Sequence, residues 1–220
     1  IVMYLLQKAR GWLADAYYLG AQPDKAAALM LAHSKNAATE EERASSYSKF
    51  LFMRNYRELG ALEGRQLAEK YGPMLGATPY LHDQVQKLPS KKLRIGYLSP
   101  DFRQHAVANF VAPLLKNFDG SRFSVYAYST GQRDDVTKRL MAMPVTWRDL
   151  RGRSPRTAAR LIAEDQIDIL VDLSGYTAHS CLPICACRPA PIQLCGIGWF
   201  ATTGMSAING FLVDKYTALP

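Results

Sequence analysis

A short loop carries a carboxylate, a guanidinium and an imidazole directly after a predicted strand. Asp101, Arg103 and His105 follow the strand that we predict over residues 93–98. A histidine at the start of a helix can be oriented by an aspartate four residues earlier, and it can then transfer a proton or bind a phosphate. In a purely structural alternative, Asp101 caps the helix and His105 packs against it. The residues by themselves leave both interpretations open.

A second loop follows the strand predicted over residues 167–173. Asp172 lies at the end of that strand, and Gly175 and His179 come next. Gly175 permits close approach of the backbone to a ligand. Asp172 could serve a ligand or could bind backbone amides of its own loop, and a histidine such as His179 is more often a packed or surface residue.

A third loop, residues 196–204, is rich in glycine and contains two threonines. Its amides, with Thr202 and Thr203, could cradle a phosphate or the hydroxyls of a sugar. Trp199 offers an apolar wall for a sugar or a base. The structural alternative is a tight turn around a buried pair, Trp199 and Phe200.

Two cofactor classes are disfavoured by the spacing. The loop after residue 98 lacks the Gly-x-Gly-x-x-Gly pattern of dinucleotide binders. Cys185 and Cys187 are separated by one residue, whereas zinc pairs are usually separated by two to four. All four cysteines lie between residues 181 and 195, which argues against a secreted disulfide scaffold and favours reduced, buried thiols of a cytoplasmic protein. We therefore expect no metal and no bound cofactor.

The composition excludes several classes of protein. Of 220 residues, 48% are hydrophobic and 21% are charged, which is ordinary for a globular chain and unlike disordered or collagen-like proteins. We find no apolar run of the roughly 18 residues that a membrane span requires. The net charge of +8 favours phosphate-bearing partners. The densest basic run consists of Arg148, Arg151, Arg153, Arg156 and Arg160. It lacks a nucleic-acid motif, so we interpret it as a solvated surface or as part of a nucleotide cleft, and we expect no nucleic-acid partner.

Residues 1–76 are typical of a helical region. Helices are predicted over residues 2–19, from Pro23, from Thr39 and over residues 57–71. Proline is tolerated in a first turn, and Thr39 with Glu42 has the pattern of a capping box. Paired helices with many small residues indicate tetratricopeptide-like packing, although residues 11–31 have no clear second copy.

The chain then changes character. Residues 77–92, which contain two prolines and three lysines, predict a solvated linker. From residue 93 onwards, strands alternate with helices of about ten residues, so the sequence predicts a parallel, doubly wound α/β sheet over residues 93–220. The predicted strands are residues 93–98, 123–128, 145–149, 167–173, 191–195 and 210–213, and the predicted helices are residues 107–117, 134–143 and 155–165. Such sheets bind ligands at the carboxyl ends of their strands.

Five ordered segments carry a resemblance to a known family. They read LRIGYLSPDFRQH (93–105), SRFSVY (121–126), DILVDLSGYT (168–177), RPAPIQ (188–193) and ATTG (201–204). Together they resemble the first half of the catalytic region of the O-linked N-acetylglucosamine transferases, in their SPINDLY-like bacterial form. The helical region upstream agrees, because these enzymes carry tetratricopeptide repeats there.

The resemblance implies the first Rossmann-like lobe of a GT-B glycosyltransferase that transfers N-acetylglucosamine from UDP-N-acetylglucosamine to Ser or Thr of proteins without a metal. It places His105 and Asp101 at the catalytic site. It also implies that residues of the second and third loops bind the donor sugar, namely Gly175, Tyr176, Thr177, Thr202, Thr203 and Gly204. The second lobe, which carries most of the UDP site, is not in this sequence. We therefore expect a piece of a longer protein that is inactive alone and whose partners are a UDP-sugar, an acceptor protein and its own second lobe.

The sequence departs from the family in the third loop. Residues 196–200 read GIGWF where the family usually has Trp-Leu-Gly-Tyr-Pro, and the loss of that proline bears on sugar specificity. Two alternatives therefore remain, a non-catalytic protein-interaction scaffold and a glycosyltransferase that uses another UDP-sugar.

Overall fold

The computed structural model of the chain describes residues 2–56, 60–82 and 92–216. These residues form two compact units. The first, the helical unit, takes its residues from Ile1–Gly76 and from two short later segments, Tyr176–Ala178 and Ala201–Ser206. The second, the α/β unit, takes its residues from Ala77–Gly175, His179–Phe200 and Ala207–Pro220.

The helical unit is built of helices, as the sequence predicts for most of residues 1–76. Its core consists mainly of alanines and of large apolar side chains, among them Met30, Tyr47 and Phe50. Small residues such as Ala14 and Ala26 allow the helices to approach closely. The helices are α1 (Val2–Leu19), α2 (Pro23–Lys35), α3 (Glu40–Arg54), α4 (Ala61–Ala68) and α5 (Tyr71–Met74).

The start of α3 shows how the predicted capping box is built. The Thr39 side chain accepts a hydrogen bond from the Glu42 amide, as predicted. The reciprocal bond differs, because Glu42 Oε2 accepts from the Ala38 amide at 3.0 Å rather than from Thr39. Glu42 Oε1 also lies 3.0 Å from His33 Nε2, so one carboxylate links the end of α2 to the start of α3.

The helix predicted over residues 57–71 is wrong in extent. Residues 57–59 lie outside the described residues, and the remainder forms α4 and α5 with a turn at Glu69 and Lys70. Tyr47 stabilises the end of α4, since its hydroxyl donates to the Leu67 carbonyl at 2.8 Å.

The α/β unit is a six-stranded, wholly parallel sheet in the order β3-β2-β1-β4-β5-β6. The predicted doubly wound fold is confirmed, and strand boundaries agree to within two residues. The strands are β1 (Leu93–Ser99), β2 (Phe123–Ser129), β3 (Thr146–Asp149), β4 (Ile169–Asp172), β5 (Ile192–Gly196) and β6 (Gly210–Leu212). The helices are α6 (Ala106–Lys116), α7 (Asp135–Met141), α8 (Pro155–Glu164) and α9 (Leu182–Ala186), of which α9 was not predicted.

Both faces of this sheet are buried, as is typical of parallel sheets. Successive side chains of a strand point to opposite faces, so neighbouring residues belong to different cores. Leu98 and Leu170 belong to one core, which also contains α8 and α9 residues such as Ile162. Tyr97 and Val171 belong to the other, which contains side chains of α6 and α7. Helices therefore cover both faces of the sheet, and the loops at the strand ends are left to form a site.

The predicted linker differs from the structure over its described part. The Tyr80 amide donates to the Cys187 carbonyl at 2.9 Å, and His82 Nε2 lies 2.7 Å from the Arg188 carbonyl. Ala77 and Tyr80 pack against the core beside α8 and α9. Residues 77–82 are thus an integral strap of the α/β unit, and residues 83–91 lie outside the described residues.

Across the part of the chain that the structure describes, no helix combines the length and the apolar character that crossing a bilayer requires.

Candidate functional site

The strand order reverses at β1, where the chain winds outward in both directions. Leu98 of β1 pairs with Asp172 of β4, so the loops that follow these two strands begin side by side. In open α/β sheets, this switch point at the carboxyl edge is where ligands bind. The two loops contain Asp101, His105 and Gly175, three of the residues that the sequence singled out.

The loop after β1 is held from within by its carboxylate. The Asp101 amide donates to Ser99 Oγ at 2.9 Å. Arg103 donates to Asp101 Oδ1 through Nη2 at 3.1 Å, and the Asp101 side chain is only 8% exposed. Asp101 is therefore a buried carboxyl group whose immediate partner is a guanidinium.

The same loop is also held by α7, through residues that the sequence analysis did not single out. Asp134 caps α7 through Thr137 and accepts a hydrogen bond from the Gln104 amide at 2.6 Å. Thr137 Oγ1 donates to the Phe102 carbonyl at 2.7 Å. The backbone hydrogen bonds from Gln104 and Thr137 hold the pKa of Asp134 below its usual range. The Asp-x-x-Thr capping pattern was the available signal.

His105, and not Asp101, caps helix α6. Its Nδ1 accepts the Val107 amide at 3.2 Å. The distance from Nδ1 to Asp101 Oδ2 is 3.8 Å, which is too long for a hydrogen bond. Asp101 therefore does not orient the ring through a hydrogen bond.

The capping bond assigns the tautomer of His105. Because Nδ1 accepts a hydrogen bond from the Val107 amide, the neutral ring carries its own hydrogen on Nε2. The side chain is 41% exposed and stands at a helix N-terminus, where anions are favoured. In this state His105 is a hydrogen-bond donor and offers no free lone pair to an incoming proton.

The loop after β4 is organised by a fully buried carboxylate. Asp172 Oδ1 accepts from the Ser174 hydroxyl at 2.6 Å, and Oδ2 accepts from the Gly175 amide at 2.7 Å and lies 3.3 Å from Cys195 Sγ. Burial raises the pKa of Asp172, while these hydrogen bonds act in the opposite direction. Of the two interpretations of Asp172, the structure supports bonding to its own loop.

Gly175 lies against the indole of Trp199. Its φ is +53°, and a Cβ at this position would lie 2.2 Å from Trp199 Cγ. Trp199 itself is buried. The burial of Trp199 does not support its interpretation as an apolar wall for a ligand. The alternative of a buried pair is wrong, because Phe200 is 72% exposed.

A strained turn follows β5. The Gly198 amide donates to the Gly196 carbonyl at 2.8 Å across Ile197, whose φ is +68°. This is a classic γ-turn, which is rare and costly for a β-branched residue. Backbone strain of this kind often accompanies functional loops. Here it turns the chain sharply before Trp199 and Phe200.

The remaining predicted site residues belong to the helical unit. The Tyr176 hydroxyl donates to the Thr203 carbonyl at 2.6 Å. The hydroxyls of Thr202 and Thr203 accept hydrogen bonds from the amides of Gly204 and Met205. Within its own unit, the structure thus brings the two segments containing Tyr176, Thr177 and the threonine loop together. Donor binding by these residues stays a prediction.

Comparison with known proteins decides the family. Residues 55–219 match the profile of Glycosyl transferase family 41. The chain belongs to this family. A barley (Hordeum vulgare) relative described as a probable UDP-N-acetylglucosamine–peptide N-acetylglucosaminyltransferase SPINDLY is 38% identical over 139 residues, which cover 61% of this chain and 15% of the relative. The Caenorhabditis elegans UDP-N-acetylglucosamine–peptide N-acetylglucosaminyltransferase is 35% identical over 150 residues, 66% of this chain and 13% of that protein.

A solved structure of the family extends the match to the helical unit. A mutant of the Thermobaculum terrenum O-GlcNAc transferase superposes with a TM-score of 0.85 at 28% identity, over 97% of this chain and 41% of that one. The family-41 assignment and the fold of a first GT-B lobe preceded by helices are thereby confirmed. The chain spans less than half of this bacterial enzyme and about a seventh of the curated relatives it matches.

The cysteines of this family-41 chain are buried free thiols, as expected: Cys181, Cys185, Cys187 and Cys195. Burial raises the pKa of Cys181 to about 12, and it raises that of Cys185 well above the ordinary thiol value. A metal would need thiolates, which this environment disfavours. No group of metal-binding side chains is found among the described residues. Metal-free chemistry stays a prediction.

Three of the five arginines of the basic run lie within 4 Å of a carboxylate oxygen. Arg148 pairs with Asp165 at 2.7 Å and Arg151 with Asp149 at 2.9 Å. Arg160 lies 3.6 Å from Glu164. These pairs support the interpretation as a solvated surface.

Proposed function

We propose that the full-length protein transfers N-acetylglucosamine from UDP-N-acetylglucosamine to Ser or Thr hydroxyls of proteins, and that this chain supplies the helical region and the first catalytic lobe. The observation that carries the proposal is the half-exposed imidazole of His105 at the switch point of a family-41 lobe. The names of the relatives support the donor and the peptide acceptor. The cytoplasm is the compartment consistent with four free thiols.

His105 acts as a hydrogen-bond donor to the diphosphate or sugar of the nucleotide. Its Nε2–H is the available polar hydrogen of the ring, and the N-terminus of α6 adds a favourable field for negative charge. Charge develops on the departing UDP in the transition state, and preorganised donors at such positions commonly supply the largest catalytic effect.

The acceptor proton leaves by another route. The acceptor oxygen forms a bond to the anomeric carbon, the bond from that carbon to UDP breaks, and the hydroxyl proton passes to a phosphate oxygen. His105 is poorly placed to take that proton, since its Nδ1 already accepts from Val107. Asp101 is bound to Arg103 and keeps this guanidinium in the loop. The reaction uses no metal.

Within the helical unit, the donor sugar is bound by Thr177 and by the threonine loop, which contains Thr202, Thr203 and Gly204, and Tyr176 supports that loop. The 220 residues alone are inactive, because the second lobe completes the UDP site. This part of the proposal is supported by the share of the bacterial enzyme that the chain spans, 41%.

One observation favours a second candidate, a different UDP-sugar donor. Phe200 is a large exposed side chain in a strained loop, where the family usually has a proline. An altered loop can change which sugar fits. UDP-glucose is therefore the competitor to test.

The test is product detection. The full-length protein is incubated with a cognate lysate and either UDP-N-acetylglucosamine or UDP-glucose, and modified Ser and Thr are identified by mass spectrometry. We expect N-acetylhexosamine on Ser or Thr. Hexose alone would establish the second candidate, and no modification with either donor would move the assignment to a protein-interaction scaffold.

A further inference from the structure

We infer that Tyr176 is a positioning residue through which the helical unit sets the geometry of the threonine loop, residues 201–206. Its consequence for the reaction rests on the proposed function, since that loop is the proposed sugar pocket. The inference assigns Tyr176 a role behind the pocket instead of a direct contact with the donor.

The first support is the bond that Tyr176 makes. Its side chain is 2% exposed, so it has almost no surface to offer to a ligand. Its hydroxyl donates to the Thr203 carbonyl at 2.6 Å, a short bond in a buried setting. A buried carbonyl that loses such a donor is left unsatisfied, which is costly. Tyr176 therefore fixes the backbone of the loop at its second threonine.

The second support is the close packing of the same loop against the end of helix α4. Gly204 has φ +62°, and a Cβ there would lie 2.4 Å from both the Ala68 carbonyl carbon and the Glu69 amide nitrogen. Only glycine allows this approach of two backbones. The next residue, Met205, is buried, and its Cγ lies 3.8 Å from the position of a Cβ on Gly72.

The third support is the link from Tyr176 to helix α5. The rings of Tyr71 and Tyr176 meet edge to face, with centroids 5.1 Å apart and planes at 76°. Tyr71 is itself 2% exposed. Edge-to-face pairs of this kind fix the relative position of two rings. The sequence Tyr71, Tyr176, Thr203 is thus a continuous path of contacts from a helix to the loop.

This arrangement makes the loop part of the helical unit. Residues 201–206 and residues 176–178 fold as components of that unit, although they are encoded among the strands of the sheet. The amides of Gly204 and Met205 are bonded to the side chains of Thr202 and Thr203, so the loop has an internal framework to be positioned. A loosened anchor should therefore move the framework as a whole.

The test compares Tyr176→Phe with Ser34→Ala in the full-length protein. Ser34 provides a matched control, because it is also 2% exposed and its hydroxyl donates to a carbonyl, that of Arg43 at 2.9 Å, within the same unit. Amide hydrogen exchange is measured over residues 201–206, together with the affinities for UDP-N-acetylglucosamine and for UDP. Tyr71→Leu is the second variant if Tyr176→Phe folds poorly. It removes the ring contact with Tyr176 but keeps the hydrogen bond from the Tyr176 hydroxyl to Thr203.

We expect Tyr176→Phe to speed exchange at Gly204 and Met205 and to weaken UDP-N-acetylglucosamine binding by about fivefold, the effect of one lost hydrogen bond, with UDP affinity unchanged. Ser34→Ala should leave the loop and both affinities unaltered. Unchanged exchange in Tyr176→Phe, an equal change in Ser34→Ala, or altered exchange with equal donor affinity would each overturn the inference. If the wild type binds neither compound, the proposed function fails, while the exchange data still decide whether Tyr176 positions the loop.

Discussion

At the scale of single residues, Gly175 leaves no room for a side chain. Its φ of +53° and the 2.2 Å separation between a Cβ there and Trp199 Cγ mean that alanine meets both strain and a collision. Backbone strain of this kind costs about 1 kcal/mol and overpacking a further 1–3 kcal/mol. We predict that Gly175→Ala lowers the free energy of unfolding by about 3 kcal/mol, measured by chemical denaturation.

Gly152→Ala is the matched control for that prediction. Gly152 also has a positive φ, +70°, but nothing lies within 4 Å of a Cβ there. The loss should therefore be about 1 kcal/mol, the cost of strain alone. Equal losses at the two positions would show that Trp199 does not fill the space above Gly175.

Residue types predicted part of the site, and packing decided the rest. The loop containing Asp101 and His105 was found because polar residues after a strand are conspicuous. The structural alternative gave the cap to Asp101, since aspartate is a common cap and histidine is not, but Asp101 accepts a hydrogen bond from Arg103 and His105 is the cap. The contact that buries Trp199 was not predicted, because it depends on Gly175, a residue distant in the sequence.

At the scale of elements, Asp165 ties strands β2 and β3 to the end of α8. Arg148 donates to Asp165 Oδ1 at 2.7 Å, and the Tyr128 hydroxyl donates to Oδ2 at 2.8 Å. Burial alone would raise the pKa of Asp165, but these hydrogen bonds outweigh it, so the pKa is lowered. Carboxylates of this kind stabilise the fold only while they are ionised.

The sign of the pH dependence follows from the lowered pKa. The stabilisation by Asp165 is fully present above the unfolded-state pKa of about 3.9 and is lost as the pH falls through the lower folded-state value. We predict that Asp165→Asn costs about 2 kcal/mol at pH 7, the typical effect of hydrogen bonds to a charged group. The difference from wild type should shrink below about pH 4. Denaturation at several pH values measures it.

Glu164→Gln is the control for the pH experiment. Its pair with Arg160 is 3.6 Å long, and both side chains are more than half exposed. Exposed pairs contribute about 0–1 kcal/mol. A pH-independent loss in Asp165→Asn, or an equally large loss in Glu164→Gln, would contradict the role assigned to Asp165.

The elements that the sequence predicted well are those with a strong local pattern. Strand β4 contains three consecutive apolar residues, Ile169 to Val171, and α8 begins with Ser154 and Pro155, a cap and a first-turn proline. Helix α9 was missed because five residues with an internal proline have no helical period. The break between α4 and α5 has no strong local signal either.

At the scale of the whole molecule, chain order and structural units do not coincide. The strands belong to one unit, while residues 176–178 and 201–206 belong to the helical unit. A sequence is read in order, so we divided it near residue 76 and placed everything after residue 93 in one lobe. Long-range contacts of Tyr176 and Gly204 instead place those two segments in the helical unit. No periodicity in the sequence predicts these contacts.

Activity is also predicted to be a property of more than these 220 residues. The chain spans 41% of an O-GlcNAc transferase of known structure. We predict no detectable UDP release by the 220-residue chain under conditions in which the full-length protein turns over. Release by the isolated chain at a comparable rate would show that this lobe needs no second one.

The most direct test of the account concerns His105, as the donor of a hydrogen bond to the nucleotide. UDP release from UDP-N-acetylglucosamine in a cognate lysate is measured for the full-length wild type, His105→Ala and His105→Asn. Asparagine can still cap α6 through its side-chain oxygen but lacks the imidazole Nε2–H. We predict that both variants lose about 100-fold or more in turnover, as when one donor to developing charge is removed, while His105→Asn keeps the wild-type melting temperature. Wild-type turnover in His105→Asn would show that His105 only caps its helix.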